Sequence, residues 1–208
     1  MKTVGFALTG SFCTFRDVIP QMRTLRGAGY EVLPVMSQTA YETDTKFGRA
    51  EDFRGQIEAA CGHHILHTIV ETEPIGPQKM FDVMLIAPAT GNTLGKLAHG
   101  INDTAVTMAA KSHLRGGRPL VLAVSTNDAL GAGAENIGRL LRARHVYFVP
   151  ARQDDPANKP LSVVADFSLI LPALEAALEG RQLQPLLLPP RAKGFAAVSE
   201  PGTVPGAM

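Results

Sequence analysis

The chain has 208 residues, 45% of them hydrophobic and 19% charged, enough apolar material for one sizeable core. Twenty Lys and Arg against 19 Asp and Glu leave a net charge of +1, so no overall field attracts nucleic acid or an anionic membrane. Apolar runs fall far short of the roughly 20 residues that span a bilayer, Met1 to Leu8 lacks the pattern of a secretory signal, and two cysteines, Cys13 and Cys61, fit a reducing cytoplasm better than a disulfide framework.

In chain order, Val4–Leu8 reads as a first strand that exits through Thr9-Gly10-Ser11 towards a helix over Asp17–Ala28. Glu31–Met36 reads as a second strand, followed by a polar stretch, Ser37–Arg49, and a helix over Ala50–Ala60. His63, His64 and His67 lie close together, but no second cluster is spaced to complete a metal site with them. Asp82–Ala87 reads as a central strand, followed by helical spacing over Thr93–Gly100 and Thr104–Leu114. Pro119–Ser125 and His145–Val149 read as further strands, with a helix over Ala134–Ala143 between them. A polar loop, Ala151–Ser162, and a helix over Val164–Leu178 complete the pattern. The strands are apolar on both faces, as strands covered by helices on both sides must be. The expectation is a single α/β domain over residues 1–184, with a three-layer, doubly wound parallel sheet of the Rossmann-like or flavodoxin-like kind. Residues 185–208, rich in proline, are expected to form an extended or disordered tail.

The chemistry gathers at the strand ends. Gly10 lets backbone approach a phosphate, Ser11 offers a hydroxyl, and the following helix start offers free N–H groups; a plain tight turn is the competing reading. In Ala87-Pro88-Ala89-Thr90-Gly91-Asn92-Thr93, a strand gives way to small and hydroxylated residues whose backbone can contact a flat ligand, with Asn92 or Thr93 as helix cap. Ser125-Thr126-Asn127-Asp128 and Ser37 end two more strands. Such convergence suits a phosphorylated, planar cofactor. The Gly-Lys-Ser/Thr ending of a P-loop, Gly-x-Gly-x-x-Gly and the Gly-x-Ser-x-Gly elbow are all absent. Cys13 sits where a helix start would favour a thiolate, but with no His beside it the reading is a small apolar packing residue.

Several segments carry a resemblance: Thr9 to Thr14, Thr45 to Gly48, Glu73 to Pro77, Ala87 to Lys96, Met108 to Lys111, Ser125 to Gly131, and Gln153 to Pro156 with Lys159-Pro160. In order and spacing, from residue 3 to about 185, the chain resembles the flavoprotein family of homo-oligomeric flavin-containing cysteine decarboxylases and flavin prenyltransferases. That resemblance implies an FMN-binding fold assembled as trimers or dodecamers. It implies that Gly10, Ser11 and Ser37 hold the FMN phosphate, and that Thr90, Asn92, Thr93 and Ser125, with Ala87 and Pro88 in the same run, surround the ribityl chain and ring. The chain departs from the decarboxylases in three places. Their catalytic His is replaced by Glu73-Pro74-Ile75-Gly76-Pro77, their Pro-x-Met-Asn-x-x-Met-Trp run by Ser125 to Leu130 with only Asn127 kept, and their late flap by Arg152 to Pro156. Decarboxylation of a cysteine substrate is therefore not expected.

Agreement is closest to a branch of that family whose members act with a separate NADP-binding partner, the A subunit of a two-part enzyme. Together the two subunits oxidise dihydrodipicolinate to pyridine-2,6-dicarboxylate in the mother-cell cytoplasm during sporulation. This dianion calls for donors and cations, and Lys46, Arg49, Asn127, Arg152 and Lys159 are the suitable groups nearest the strand ends. Asn127 and Asp128 are the catalytic candidates, Asp128 as proton acceptor if burial raises its pKa, with Asp154 and Asp155 as alternatives. A non-catalytic flavin or nucleotide binder and an FMN-dependent decarboxylase of another small carboxylate remain as other readings.

Overall fold

A computed structural model of the chain describes residues 1–189. Its strands are β1 (Thr3–Leu8), β2 (Glu31–Met36), β3 (Val83–Ala89), β4 (Leu120–Thr126), β5 (Val146–Phe148), β6 (Ala151–Arg152) and β7 (Val163–Ala165). Its helices are α1 (Phe15–Gly27), α2 (Gln38–Glu42), α3 (Ala50–Cys61), α4 (Ile69–Thr72), α5 (Gly91–Ala98), α6 (Ala105–Leu114), α7 (Gly133–Leu141) and α8 (Ile170–Leu178).

Alternation along the strands builds the layers. Val4, Phe6 and Leu8 of β1 turn to one face with Val83 and Leu85 of β3, where α1, α3 and α8 cover them through Val18, Met22, Ile57 and Leu174. Ala7, Met84, Ile86 and Leu122 turn to the other face, beneath Leu94 of α5, Val106 and Ala110 of α6 and Leu140 of α7. Gly5 keeps the alternation but has no room for a side chain, because a Cβ there would stand 2.2 Å from the ring of Phe81, which lies on the same face as Ala7.

Five strands run parallel in the order β2-β1-β3-β4-β5, the flavodoxin arrangement. The chain leaves β1 for β2 on one side and returns to β3 on the other. The switch point, and the crevice it opens, therefore lies at the carboxyl ends of β1 and β3.

The sheet is mixed rather than wholly parallel. Beyond the short β5, the end of β4 pairs antiparallel with β7 (Ser125 with Val164, Thr126 with Val163), and β7 pairs antiparallel with β6. The expected loop Ala151–Ser162 thus opens with a strand. The expected helix from Val164 starts only at Ile170, because the β-branched Val163-Val164 pair with β4 and Asp166 caps a 3-10 turn over Phe167–Leu169. β3 also continues past Ala87 to Ala89. Of the expected tail, Leu186 and Leu188 lie along β6: Ala151 N–H donates to Leu186 O at 3.0 Å and Leu188 N–H to Ala151 O at 2.9 Å. The rest, residues 190–208, lies outside the described residues. Among the described residues no helix is long and apolar enough to cross a membrane.

Candidate functional site

The crevice is held together by hydroxyl groups. Thr9, buried at the end of β1, donates through Oγ1 to Pro88 O at 2.6 Å and accepts from Thr90 N–H at 3.1 Å, which ties the exits of β1 and β3. Ser11 Oγ is hydrogen-bonded to Ser125 Oγ at 2.9 Å, which ties β1 to β4. Ser11 N–H returns to Thr9 O at 2.7 Å, closing a tight turn that leads into a 3-10 turn over Phe12–Thr14. The first N–H groups of that turn, at Phe12 and Cys13, have no carbonyl behind them, as at any helix start. Thr90 caps α5, its Oγ1 accepting from Thr93 N–H at 3.4 Å, so the cap is Thr90 and not Asn92 or Thr93. Gly91 brings the β3 and β4 exits together, since a Cβ there would sit 2.8 Å from both Thr126 Oγ1 and Asp128 Oδ1. The Thr126 hydroxyl in turn donates to the Asp128 carboxylate.

A cleft of about 340 Å³ opens between these loops. Of the residues expected from the sequence it brings together Gly10, Ser11, Thr90, Ser125, Asn127, Asp128 and Lys159. The others lie elsewhere. Ser37 spends its hydroxyl on capping α2, accepting from Ala40 N–H at 3.3 Å. Ala87 is buried in the core and Pro88 takes part only through its carbonyl. Asn92 is exposed on the first turn of α5, while the hydroxyl of buried Thr93 is 3.0 Å from that of Thr90. Lys46 lies over the Phe47 ring, 5.3 Å from its centroid, and Arg49 pairs with Glu51 at 2.8 Å, so both belong to the outer loop between α2 and α3. Arg152 lines a neighbouring cleft, paired with Asp166.

Two expectations about single side chains are overturned. Cys13 is exposed and lines both clefts instead of packing as an apolar residue. Cys61 is the buried one, and desolvation pushes its thiol up to about 12 despite the opposing influence of Arg26. Asp128 is exposed, so the burial that would favour it as proton acceptor is not met. The sequence reading gave Thr9 and Ser162 no role, and placed Gly91 and Thr126 only within polar strand ends. Ser162 is the most informative: it directly precedes β7 and stands beside Asn127, where its hydroxyl donates to Oδ1 at 3.4 Å. The three histidines disperse to separate carboxylates, His63 to Glu31, His64 to Glu58 and His67 to Glu71. Among the described residues no group of three His, Cys, Asp or Glu is placed for a metal ion.

The hydroxyls of Ser11, Thr14, Thr90, Ser125, Thr126 and Ser162 and a helix start form a neutral donor set that fits a phosphorylated polyol better than an inorganic cation. Gly10 itself lines the cleft, and a Cβ there would only come into ordinary contact with Phe12 Cε2 and Thr39 Cγ2, both at 3.7 Å. No aromatic side chain lines the cleft among the described residues, so a flat ring there would rest on backbone and small side chains. The one cation lining it among those residues, Lys159, stands 3.7 Å from Asp154.

Comparison with known proteins places this geometry. A family model described as Flavoprotein matches residues 1–164. The B subunit of dipicolinate synthase from Bacillus subtilis is 44% identical over 187 residues, covering 90% of this chain and 94% of that protein. The crystal structure of the corresponding B subunit from Bacillus halodurans is similar with a TM-score of 0.84 and 44% identity, over 91% of this chain and 97% of that one. A crystal structure of SpaF, described as an FMN-dependent cysteine decarboxylase, is similar with a TM-score of 0.60 and 27% identity, over 85% of this chain and 97% of that one.

Proposed function

This chain belongs to the flavoprotein family, and from that premise we propose that it is the B subunit of a dipicolinate synthase, holding FMN and working with a separate NADP-binding partner, the A subunit. The observation that carries this is 44% identity to the Bacillus subtilis B subunit running through 90% of the chain. The reaction takes one hydride and one proton from the ring of dihydrodipicolinate to leave aromatic pyridine-2,6-dicarboxylate. The hydride ends on NADP, reducing it to NADPH, and the proton passes to a base.

In this reading Ser11, Ser125 and the N–H groups at Phe12 and Cys13 hold the FMN phosphate, and Thr90 and Thr126 meet the polyol. FMN, when bound, supplies a carrier for two electrons. Asn127, oriented by Ser162, presents its amide to a substrate carboxylate. Asp128, exposed and held by Thr126, stands at the edge of the cleft, where the proton passes to solvent water. The protein works in the mother-cell cytoplasm as a homo-oligomer, a trimer or dodecamer.

One observation favours a second reading, that of a flavin-binding protein without catalytic groups of its own: Lys159, the only cation lining the cleft among the described residues, already stands beside Asp154. A decarboxylase of another carboxylate has less support. Glu73-Pro74, which replaces the decarboxylase His, is packed on α6 through the Ser112 hydroxyl donating to Glu73 O at 2.6 Å. The two main readings separate when the NADP-binding partner, NADP and dihydrodipicolinate are mixed with and without this chain. The proposal expects NADPH to form rapidly only when both proteins are present; the full rate from the NADP-binding partner on its own contradicts it.

A further inference from the structure

Beside the hydroxyl-lined cleft lies another, of about 640 Å³, between α1 and the β6–β7 hairpin. The two are continuous, for Cys13, Thr14, Asp154 and Val164 line both. Arg152 reaches into the second cleft from β6. Its Nη2 donates to Asp166 Oδ2 at 2.5 Å, and its side chain is 18% exposed. Asp166 is fixed in its turn, its Oδ1 accepting from the Ser168 hydroxyl at 2.6 Å and from the Ser168 N–H at 3.3 Å. The Nε–H of Arg152 is buried and has no acceptor among the described residues. A guanidinium is a planar fork of five donors, and an acid that takes only one edge leaves the rest seeking acceptors. The other charges lining this cleft do not compete for it: Arg16 stands 3.8 Å from Asp17 with both side chains exposed, and Asp154 is 3.7 Å from Lys159.

We propose that this second cleft is the carboxylate subsite for a planar ring acid. One carboxylate takes the open donors of Arg152, Asp166 positions the guanidinium, and the ring extends to the junction at Cys13 and Val164, beside the flavin cleft. A second carboxylate on the same ring reaches Lys159 on the far side of that junction. Arg152 sets specificity by geometry rather than by net charge, because Asp166 already balances its charge and a carboxylate must match the fork to bind. The identity of the ring acid, a pyridine dicarboxylate, rests on the function proposed above; the subsite itself rests on the cleft and on Arg152.

The test titrates pyridine-2,6-dicarboxylate and, separately, FMN into the full chain by calorimetry, for the unaltered protein and for Arg152→Leu, Arg152→Lys and Asp166→Asn. Arg152→Leu is expected to weaken dicarboxylate binding at least tenfold and leave FMN binding unchanged. Arg152→Lys, which keeps a charge opposite Asp166 and loses the fork, is expected to weaken it as well, and carries the test alone if the leucine variant does not fold. Asp166→Asn is expected to weaken it less than Arg152→Leu. Unchanged dicarboxylate affinity in the folded Arg152 variants, or no dicarboxylate binding by the unaltered protein, overturns the subsite whether or not FMN binds. Dicarboxylate binding that depends on Arg152 in a protein that takes no FMN sustains the subsite and defeats the flavin reading.

Discussion

Thr9 carries, in one hydroxyl, the bonds that its side chain makes to Pro88 O, Thr90 N–H and Thr90 Oγ1 between the ends of β1 and β3. Thr9→Val keeps the shape and leaves Pro88 O and Thr90 N–H without that partner. A buried group left unsatisfied costs about 1–3 kcal/mol, so the urea midpoint of this variant falls with an unchanged m-value, and FMN binds more weakly. At the opposite end of the sheet, His113 is 1% exposed and bonds through Nε2 with Pro119 O at 3.0 Å. Burial pulls its pKa down from 6.5 to about 4, against a smaller upward pull from the Pro119 carbonyl. The unfolded chain therefore takes up this proton first as pH falls. Stability is intact above 6.5 and declines between 6.5 and about 4, by up to about 1.4 kcal/mol per pH unit. Urea unfolding of His113→Leu across that window is expected to show a shallower fall than the unaltered chain; an equal fall in both shows that other groups set the acid limit. Ser125 was legible in the sequence because it follows directly from an apolar run, and Ser11 because it ends the Thr9-Gly10-Ser11 turn after one. Thr9 was not, because only the neighbouring strand gives its hydroxyl a task.

Loops that leave parallel strands set how close a ligand comes, and two glycines separate clearance for a ligand from clearance for the chain. Gly10 can take a methyl in ordinary contact, with Thr39 Cγ2 and Phe12 Cε2 both 3.7 Å from a would-be Cβ, whereas Gly91 is pressed against Thr126 and Asp128. Gly10→Ala is expected to leave stability within about 0.5 kcal/mol, as for an uncrowded surface change, yet to weaken FMN binding by filling the phosphate approach. Gly91→Val is expected to lower both, because the β4 exit must move. Thermal melts with and without FMN separate the two effects. The junction of β3 with α5 was legible as an element because Thr90-Gly91-Asn92-Thr93 punctuates an apolar run. The β6–β7 hairpin was not, since Ala151-Arg152 is too short to show a period and Val164 begins a stretch whose spacing also fits a helix. The candidate cations divide on the same ground: sequence places Lys46, Arg49, Arg152 and Lys159 near strand ends, but only folding decides which side of a strand each loop takes.

Over the whole molecule, activity and stability are segregated. The crevice lies at the carboxyl ends of the strands, where hydroxyls and loops meet, while two apolar layers fill the body between the helices. The parallel order of the first five strands was implied by the alternation of apolar runs and helical spacing; the antiparallel addition depends on pairing at long range and has no local signal. The near-neutral charge proves to be local as well as global, for Arg16, Arg152 and Lys159 each stand beside an aspartate. Binding here is therefore expected to depend on geometry and to be only weakly sensitive to salt, unlike attraction by an unbalanced field. The central claim is that the hydroxyl-lined crevice holds FMN, and thermal unfolding with added FMN tests it most directly. At a hundredfold excess over its Kd, a ligand of the native state adds about 2.7 kcal/mol, which for a domain of this size raises the midpoint by roughly 5–10 °C. The account predicts that rise and its loss in Gly10→Ala; a midpoint unmoved by millimolar FMN, with the flavin spectrum unchanged, contradicts it.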